Sequence, residues 1–349
     1  MDASLKLPFY SKVCQIILGA VAFFYILYIG QEIIIPLIYA SLLAILLNPV
    51  VEYLVRFRIN RIVAITLALM SMIILLAALF YFIGTQAGMF AEALPQLKSK
   101  FLLLFRDLLE WISYTFNISA NKGEEWIGNM QTQGMSNGTA VVSATLLTAT
   151  EIIVQLILLP VYTFMMLFYK SHLRKFVSYM FQPDNKVVVS EVIIEVKSLV
   201  QKYLIGLILE AAMVAVMNTA ALIILGVPYA IMIGIIGALL NIIPYIGGII
   251  AIAIPMLIAF ATQSPATALW VLVAYLIVQF IDNNVIVPRI VASKVKINGL
   301  LSIIVVLVGG ALWGVSGMFL AIPVSAIIKV ICDRVESLRP WGYLLGDTE

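Results

Sequence analysis

Residues Pro228–Thr262 read PYAIMIGIIGALLNIIPYIGGIIAIAIPMLIAFAT. As one helix this stretch would extend ~50 Å at 1.5 Å per residue, well past the ~30 Å hydrocarbon thickness of a bilayer. Its middle carries Gly234, Gly237, Asn241, Pro244, Gly247, Gly248 and Pro255, several of them residue types that bend or end helices. Peptide groups freed by such breaks must be satisfied by neighbouring protein or a wet cavity, because lipid offers them no partner. The stretch therefore predicts a helix that dips, breaks and returns to the side it came from. Gly299–Ile328 poses the same problem with Gly309, Gly310, Gly314, Gly317 and Pro323, and predicts a second broken or re-entrant hairpin.

Working outward, the composition fits only a membrane setting. Of the 349 residues, 63 % are apolar or aromatic and 11 % are charged, against about 45–50 % and 25 % in soluble domains. So few polar side chains cannot cover a water-facing surface of this size, and the chain is expected to be an all-α polytopic membrane protein. A net charge of +3 from 21 basic residues scattered at the ends of apolar segments excludes a phosphate-tracking face, so no nucleic-acid partner is expected. The two cysteines, Cys14 and Cys332, sit at segment edges without the CxxC spacing of a redox or zinc site.

Six further apolar blocks are long enough to span: Val13–Gly30, Ile33–Leu47, Ile62–Ile83, about Leu146–Tyr169, about Tyr203–Leu225 and about Ala266–Val287. Only Gln31 and Glu32 separate the first two, which predicts a tight helical hairpin, and Asn48 and Pro49 are expected to stop its second helix. Basic residues cluster at Lys6 and Lys12, at Arg56, Arg58 and Arg61, through Lys170–Lys202, at Arg289, Lys294 and Lys296, and at Lys329, Arg334 and Arg339. With six full spans, two returning hairpins and a cytoplasmic amino terminus, every one of these clusters falls inside, as the positive-inside rule asks. Both termini are then cytoplasmic. Counting the hairpins as single crossings would put Arg289, Lys294 and Lys296 outside.

The expected organisation is a three-helix membrane region (1–83), an external insert (84–145), a fourth span with a cytoplasmic amphipathic helix (146–202), a transport region holding the hairpins 228–262 and 299–328 (203–335), and a cytoplasmic tail (336–349). Within the insert, Met89–Phe116 spaces its apolar residues as an amphipathic helix, and Asn117–Thr139 reads as a polar loop. Asn117-Ile-Ser and Asn137-Gly-Thr match the glycosylation pattern there, a motif common by chance. In Ser171–Lys202, Val192, Ile193, Val196, Leu199 and Val200 oppose Glu191, Glu195, Lys197 and Lys202, an arrangement suited to lying in the interface or to packing under the transport core.

HExxH, GxSxG, P-loop and Gly-rich dinucleotide motifs are all missing from the sequence, so no catalytic, zinc or ATP site is expected, nor any cofactor. The chemistry that remains lies in polar residues within apolar segments. Between Lys202 and Arg289 only Glu210 and Asp282 are ionisable in the carboxyl or amine sense. A charge at mid-bilayer costs ~2.5–3.5 kcal/mol on insertion scales, so such groups face a cavity or a partner. For Asp282 the bland alternative is an ion pair with Arg289, two turns away; for Glu210 it is protonation or snorkelling. Glu151, at the external end of the fourth span, reads as interfacial. Amides gather around these carboxyls: Gln279, Asn283 and Asn284 beside Asp282, Asn218 in the fifth span, Asn241 at the first break and Asn298 at the start of the second hairpin. They either cap broken helices or replace the hydration of a small polar solute. His172, among Lys170, Arg174 and Lys175, reads as a solvated interfacial residue.

An internal echo links the hairpins: Gly237-Ala-Leu followed by Ala253-Ile-Pro255, and Gly310-Ala-Leu followed by Ala321-Ile-Pro323. Paired Gly/Pro-interrupted segments point to the substrate site of a secondary carrier. The stretches Leu225-Gly-Val-Pro-Tyr-Ala230, Asn241-Ile-Ile-Pro-Tyr-Ile-Gly-Gly248, Gln279-Phe-Ile-Asp-Asn-Asn-Val-Ile-Val-Pro-Arg289, Lys296-Ile-Asn-Gly-Leu300 and Gly309-Gly-Ala-Leu-Trp-Gly314 resemble the signature regions of the autoinducer-2 exporter (AI-2E) family of bacterial transporters. Leu43–Val50 and Leu159-Pro-Val-Tyr-Thr-Phe-Met-Met-Leu167 fit as well. The resemblance implies an inner-membrane transporter, a homo-oligomer and by resemblance a pentamer, with an elevator-like transport unit built from the hairpins. It associates members with export of a furanosyl quorum-sensing signal or with sodium (lithium)/proton antiport. Glu210 stands outside the family pattern and leaves a proton- or sodium-coupled variant open.

The expected site accordingly takes Asn241, Pro244, Gly247 and Gly248 as one tip, Gln279, Asp282, Asn283 and Asn284 as the facing wall, and Gly309, Gly310, Gly314 and Gly317 as the second tip, with Glu210, Arg289 and Asn298 as further polar candidates. Export of a small polar solute is the first reading. Cation/proton antiport and a non-transporting membrane scaffold are the alternatives.

Overall fold

The computed structural model describes residues 8–116, 157–182, 186–244, 246–291 and 297–346. Among them there is no strand. The order is α1 (Phe9–Ile29), α2 (Gln31–Arg56), α3 (Arg61–Phe116), α4 (Ile157–Phe168), α5 (Lys170–Tyr179), α6 (Lys186–Ile224), α7 (Ala230–Asn241), α8 (Ile246–Thr262), α9 (Pro265–Ile281), a π-helical segment (Asp282–Val291), α10 (Gly299–Arg334) and α11 (Arg339–Leu345). Six of the described helices are long and apolar enough to cross a membrane. The chain is an all-α polytopic membrane protein.

Several helices outrun the boundaries expected from hydropathy. Asn48 and Pro49 do not stop α2, which continues to Arg56 and ends where Arg58 takes a left-handed φ of 63°. Asn48 Nδ2 instead donates to Glu52 Oε1 one turn on, at 2.9 Å. The third span and the amphipathic segment after it form the single 56-residue helix α3, and the cytoplasmic amphipathic segment and the fifth span merge within the 39 residues of α6. The expected tight hairpin of the first two helices is a bend at one residue, Gly30, with φ −78° and ψ 4°. Its N–H still bonds to Ile26 O at 2.8 Å, as helix geometry asks, and a one-residue link is too short to reverse two helices about 10 Å thick. The loop expected over Asn117–Thr139, the two glycosylation-pattern asparagines, Glu151, the start of the fourth span, Lys294 and Lys296 lie outside the described residues.

The chain divides into two compact units. One comprises Leu46–Pro160 and Gln201–Val295. Its apolar centre joins Leu222, Val227, Met232, Ile233, Ile258, Val271 and Tyr275, contributed by the end of α6, the turn after it, α7, α8 and α9. Here α7 and α8 form the first expected hairpin, breaking between Asn241 and Ile246. The turn into α7 uses two left-handed residues, Gly226 (φ 70°) and Tyr229 (φ 59°). Ser264 caps α9, accepting the Thr267 N–H at 3.1 Å with Pro265 in the first turn, where a missing N–H costs nothing.

The other unit comprises Met1–Ile45, Val161–Val200 and Lys296–Glu349. It holds the second expected hairpin, because α10 is helical on both sides of a reversal at Trp313 (φ −134°) and Gly314 (φ 59°, ψ −140°). The left-handed Gly314 makes the turn at no steric cost. The two legs then touch: a methyl group at Gly309 would lie 2.5 Å from Gly317 O, and one at Gly310 would lie 2.6 Å from the Met318 methyl. Trp313 Nε1 donates to Leu27 O at 3.0 Å, three residues before the α1 bend, and the Tyr39 and Phe319 rings stack with centroids 5.8 Å apart. Arg334 at the end of α10 bridges Glu191 (3.2 Å) and Glu195 (2.8 Å).

Candidate functional site

Three elements of the first-hairpin unit bring polar groups into its apolar interior. On α9 and the π-helical segment, Tyr275, Gln279 and Asp282 follow at i, i+4 and i+7, one face of a helix. On α6, Tyr203, Glu210 and Asn218 recur at about two-turn spacing. Asn241 ends α7 at the hairpin tip. All but Gln279 and Asn241 are buried, Asp282 to 1 % exposure and Asn218 to 2 %.

Close backbone approach makes this convergence possible. Gly206, one turn before Glu210, packs so tightly that a methyl group there would lie 2.9 Å from Ile290 O in the π-helical segment. Gly234 meets the backbone of Thr219 on α6, where a methyl group would stand 2.8 Å from Thr219 N. At Gly237 an added methyl group would lie 3.5 Å from Asn218 Nδ2, 3.6 Å from the Tyr275 hydroxyl and 3.6 Å from Ala251 Cβ, so this small residue is where α6, α7, α8 and α9 meet. A methyl group at Gly247 would overlap Leu240 O, which leaves no room for any side chain at the tip.

At the centre, Asn241 Nδ2 donates to Asp282 Oδ2 at 2.8 Å and ties the hairpin tip to the start of the π-helical segment. Glu210 lies within electrostatic reach of Asp282, and Tyr203 within reach of Glu210. Gln279 donates to Asn283 Oδ1 at 3.2 Å, while its own oxygen stands 3.3 Å from the position of a methyl group at Gly248. Among the described residues, Asp282 Oδ1, Asn218 Oδ1 and the Tyr275 hydroxyl are buried without a hydrogen-bond partner. Each such atom costs ~1–3 kcal/mol in a folded protein and calls for an explanation; Asn218 and Tyr275 share the surroundings of Gly237, one turn before Asn241 on α7. The π-helical run beginning at Asp282 also fits, since π-helical geometry is rare and frequent at functional sites.

The geometry thus brings together Glu210, Asn241, Gly247, Gly248, Gln279, Asp282 and Asn283, with Pro244 in the tip turn. Asn284 is exposed and bonds back to Phe280 O at 2.8 Å, a local helix contact. Arg289 is exposed, and Asp282 has an amide as its hydrogen-bond partner. In the second-hairpin unit, Gly309, Gly310, Gly314 and Gly317 build the reversal of α10, and Asn298 is the cap of that helix, accepting the Leu300 N–H at 2.9 Å. Tyr275 and Tyr203 complete the nest although they were not among the expected site residues, together with Asn218, one of the amides expected in the fifth span. The i, i+4, i+7 spacing of Tyr275 with Gln279 and Asp282 was the available signal for the first of them. Among the described residues no group of three His, Cys, Asp or Glu side chains has the arrangement to hold a metal ion.

Spanning helices, Gly/Pro-broken hairpins and a buried polar nest define a multi-pass membrane transport protein. The model of the AI-2E family transporters matches residues 17–337, and the chain belongs to that family. It is similar to the AI-2 transport protein TqsA of Escherichia coli K12, 25 % identical over 328 residues that make up 91 % of this chain and 90 % of TqsA. YueF of Bacillus subtilis 168 is 27 % identical over 316 residues, 87 % of this chain and 84 % of YueF, and YhhT of E. coli K12 is 24 % identical over 317 residues, 91 % and 89 %.

Proposed function

We propose that this transporter exports a small polar solute, for which autoinducer-2, the molecule in TqsA's name, is the first candidate. The supporting observation is the hydrogen bond between Asn241 at a hairpin tip and Asp282, whose other oxygen, like Asn218 Oδ1 and the Tyr275 hydroxyl, is buried without a partner among the described residues. In water these groups would be hydrated; in an apolar interior a polar solute supplies the missing partners. The hairpin tip is the element that moves in this reading, because Gly247 and Gly248 let its backbone bend and expose peptide dipoles. An elevator-like movement, a pentameric assembly, cytoplasmic termini in a bacterial inner membrane and the five-part organisation from 1–83 to 336–349 belong to the same proposal. The test is efflux of labelled autoinducer-2 from proteoliposomes. Asp282→Asn and Asn241→Ala, checked for unchanged elution as folded protein, should each slow efflux at least tenfold; wild-type rates in both would remove these residues from the mechanism.

One observation favours a second reading, sodium (lithium)/proton antiport: two buried carboxyls, Glu210 and Asp282, interact within the nest. Two like charges in low dielectric exchange a proton for a cation more readily than either alone. Dye-quench assays that find no sodium- or lithium-dependent proton flux at any pH would refute it.

A further inference from the structure

Away from the polar nest, α5 and the start of α6 border an open pocket of about 410 Å³ lined by Ser171, Arg174, Lys175, Ser178, Ser190 and Ile193. That volume falls in the range of pockets that take a small ligand. Its chemistry is one-sided: two cationic side chains and three hydroxyls, with no carboxylate among these described lining residues. Arg174 Nη2 donates to Ser190 Oγ at 3.1 Å, which joins α5 to α6 and holds one edge of the guanidinium in place. Lys170 and His172 flank the pocket in sequence. Guanidinium, ammonium and hydroxyl donors converging on one concavity match the acceptor oxygens of a phosphate group.

A second observation bears on how such a group arrives. Leu173, Phe176, Tyr179, Met180 and Phe181, on and just after α5, are all exposed. Apolar and basic residues on one short helix directly after the apolar α4 suit a position at the level of lipid headgroups. We propose that this cavity binds a phosphate group, presented either by an anionic phospholipid headgroup or as free phosphate.

The experiment uses the full-length protein in neutral detergent and follows the thermal unfolding midpoint by tryptophan fluorescence. The ligands are phosphatidylglycerol, phosphatidylcholine, inorganic phosphate, and sodium chloride matched to it in ionic strength. The variants are Arg174→Gln/Lys175→Gln, a control with the same loss of charge elsewhere (Lys12→Gln/Arg56→Gln), and Ser178→Val, which keeps both charges but obstructs the lining. Stabilisation by phosphatidylglycerol that survives in the control, and weakens by about thirtyfold in apparent affinity in the double variant, supports the site with lipid as source. Thirtyfold corresponds to about 2 kcal/mol, the worth of two basic contacts to a headgroup. The same pattern with inorganic phosphate but not with chloride supports the site with a soluble source. Should the double variant fail to fold, a loss of response in Ser178→Val carries the same meaning. The proposal is overturned if neither ligand shifts the wild-type midpoint, if phosphatidylcholine acts as strongly as phosphatidylglycerol, or if the folded pocket variants respond like wild type.

Discussion

Replacing Gly247 by alanine is the sharpest perturbation of the first hairpin. The added methyl group would lie 2.5 Å from the Leu240 carbonyl carbon and 3.1 Å from Asn241 N, and would overlap Leu240 O. All three are backbone atoms of the facing helix end, so no side chain can turn aside; the tip itself must open by about the shortfall from a normal ~3.5–4 Å contact. Overpacking of this kind costs ~1–3 kcal/mol, which is a factor of roughly 5 to 150 in favour of an opened tip. Two further glycine substitutions calibrate the effect. At Gly248 the nearest atom is Gln279 Oε1 at 3.3 Å, the end of a flexible side chain, and at Gly299 nothing lies within 4 Å. We expect Gly247→Ala to lower the unfolding midpoint in detergent and to reduce efflux strongly. Gly248→Ala should keep the midpoint and alter efflux alone, through Gln279. Gly299→Ala, in the first turn of α10, should be neutral or slightly stabilising, because it lowers unfolded-state entropy. Equal midpoints and equal efflux for Gly247→Ala and wild type would refute the closed-tip geometry.

Tyr275→Phe removes a buried hydroxyl with no partner among the described residues while keeping the ring, so the folded protein should gain about 1 kcal/mol and a higher midpoint even as solute affinity falls in efflux titrations. A lowered midpoint would show that the hydroxyl has a structural partner. Trp313→Phe deletes the bond to Leu27 O and should cost ~0.5–1.5 kcal/mol, with increased protease or thiol-probe access near the α10 reversal as the direct readout. Ser264→Ala removes the α9 cap and should destabilise by ~1 kcal/mol without changing efflux per folded molecule. Glu195→Gln, at the exposed Arg334 bridge, should change the midpoint by less than ~1 kcal/mol equivalent, and less still in high salt.

How much of this was legible in the sequence depended on which physical force set each boundary. The reversals after Asn241 and at Trp313–Gly314 were legible because a run too long for the bilayer carried Gly and Pro where it had to turn. The ends of α2, α3 and α6 were not. Hydropathy marks where side chains leave lipid, whereas a helix ends where its backbone hydrogen bonds end, and those bonds are indifferent to the solvent around the side chains. The residues from Ser198 to Leu204 contain neither Gly nor Pro, so α6 continues from a polar segment into an apolar one without a break. In the site, Asp282 and Glu210 announced themselves as ionisable groups among apolar ones. Tyr275 did not, since tyrosine is ordinary in membrane helices, and only its spacing from Asp282 gives it away. Asn298 and Asn284 carried the same amide signal as Asn241 and turned out to be a helix cap and a local backbone contact.

The contrast between those amides and Asn241 follows from where each helix ends. At Asn298 the orphan donors are the first N–H groups of α10, and the side chain satisfies one of them directly. At Asn241 the helix α7 ends inside apolar surroundings, and the side chain reaches across 41 residues to a carboxylate instead of back to its own backbone. A bond of that kind ties the tip to the π-helical segment with one contact, and among the described residues the second Asp282 oxygen has no partner. Any solute or ion able to compete for the Asp282 carboxylate therefore acts on the same contact that holds the tip. In the export proposed above, that coupling of occupancy to tip position supplies alternating access, with a hairpin whose glycines let it leave the wall.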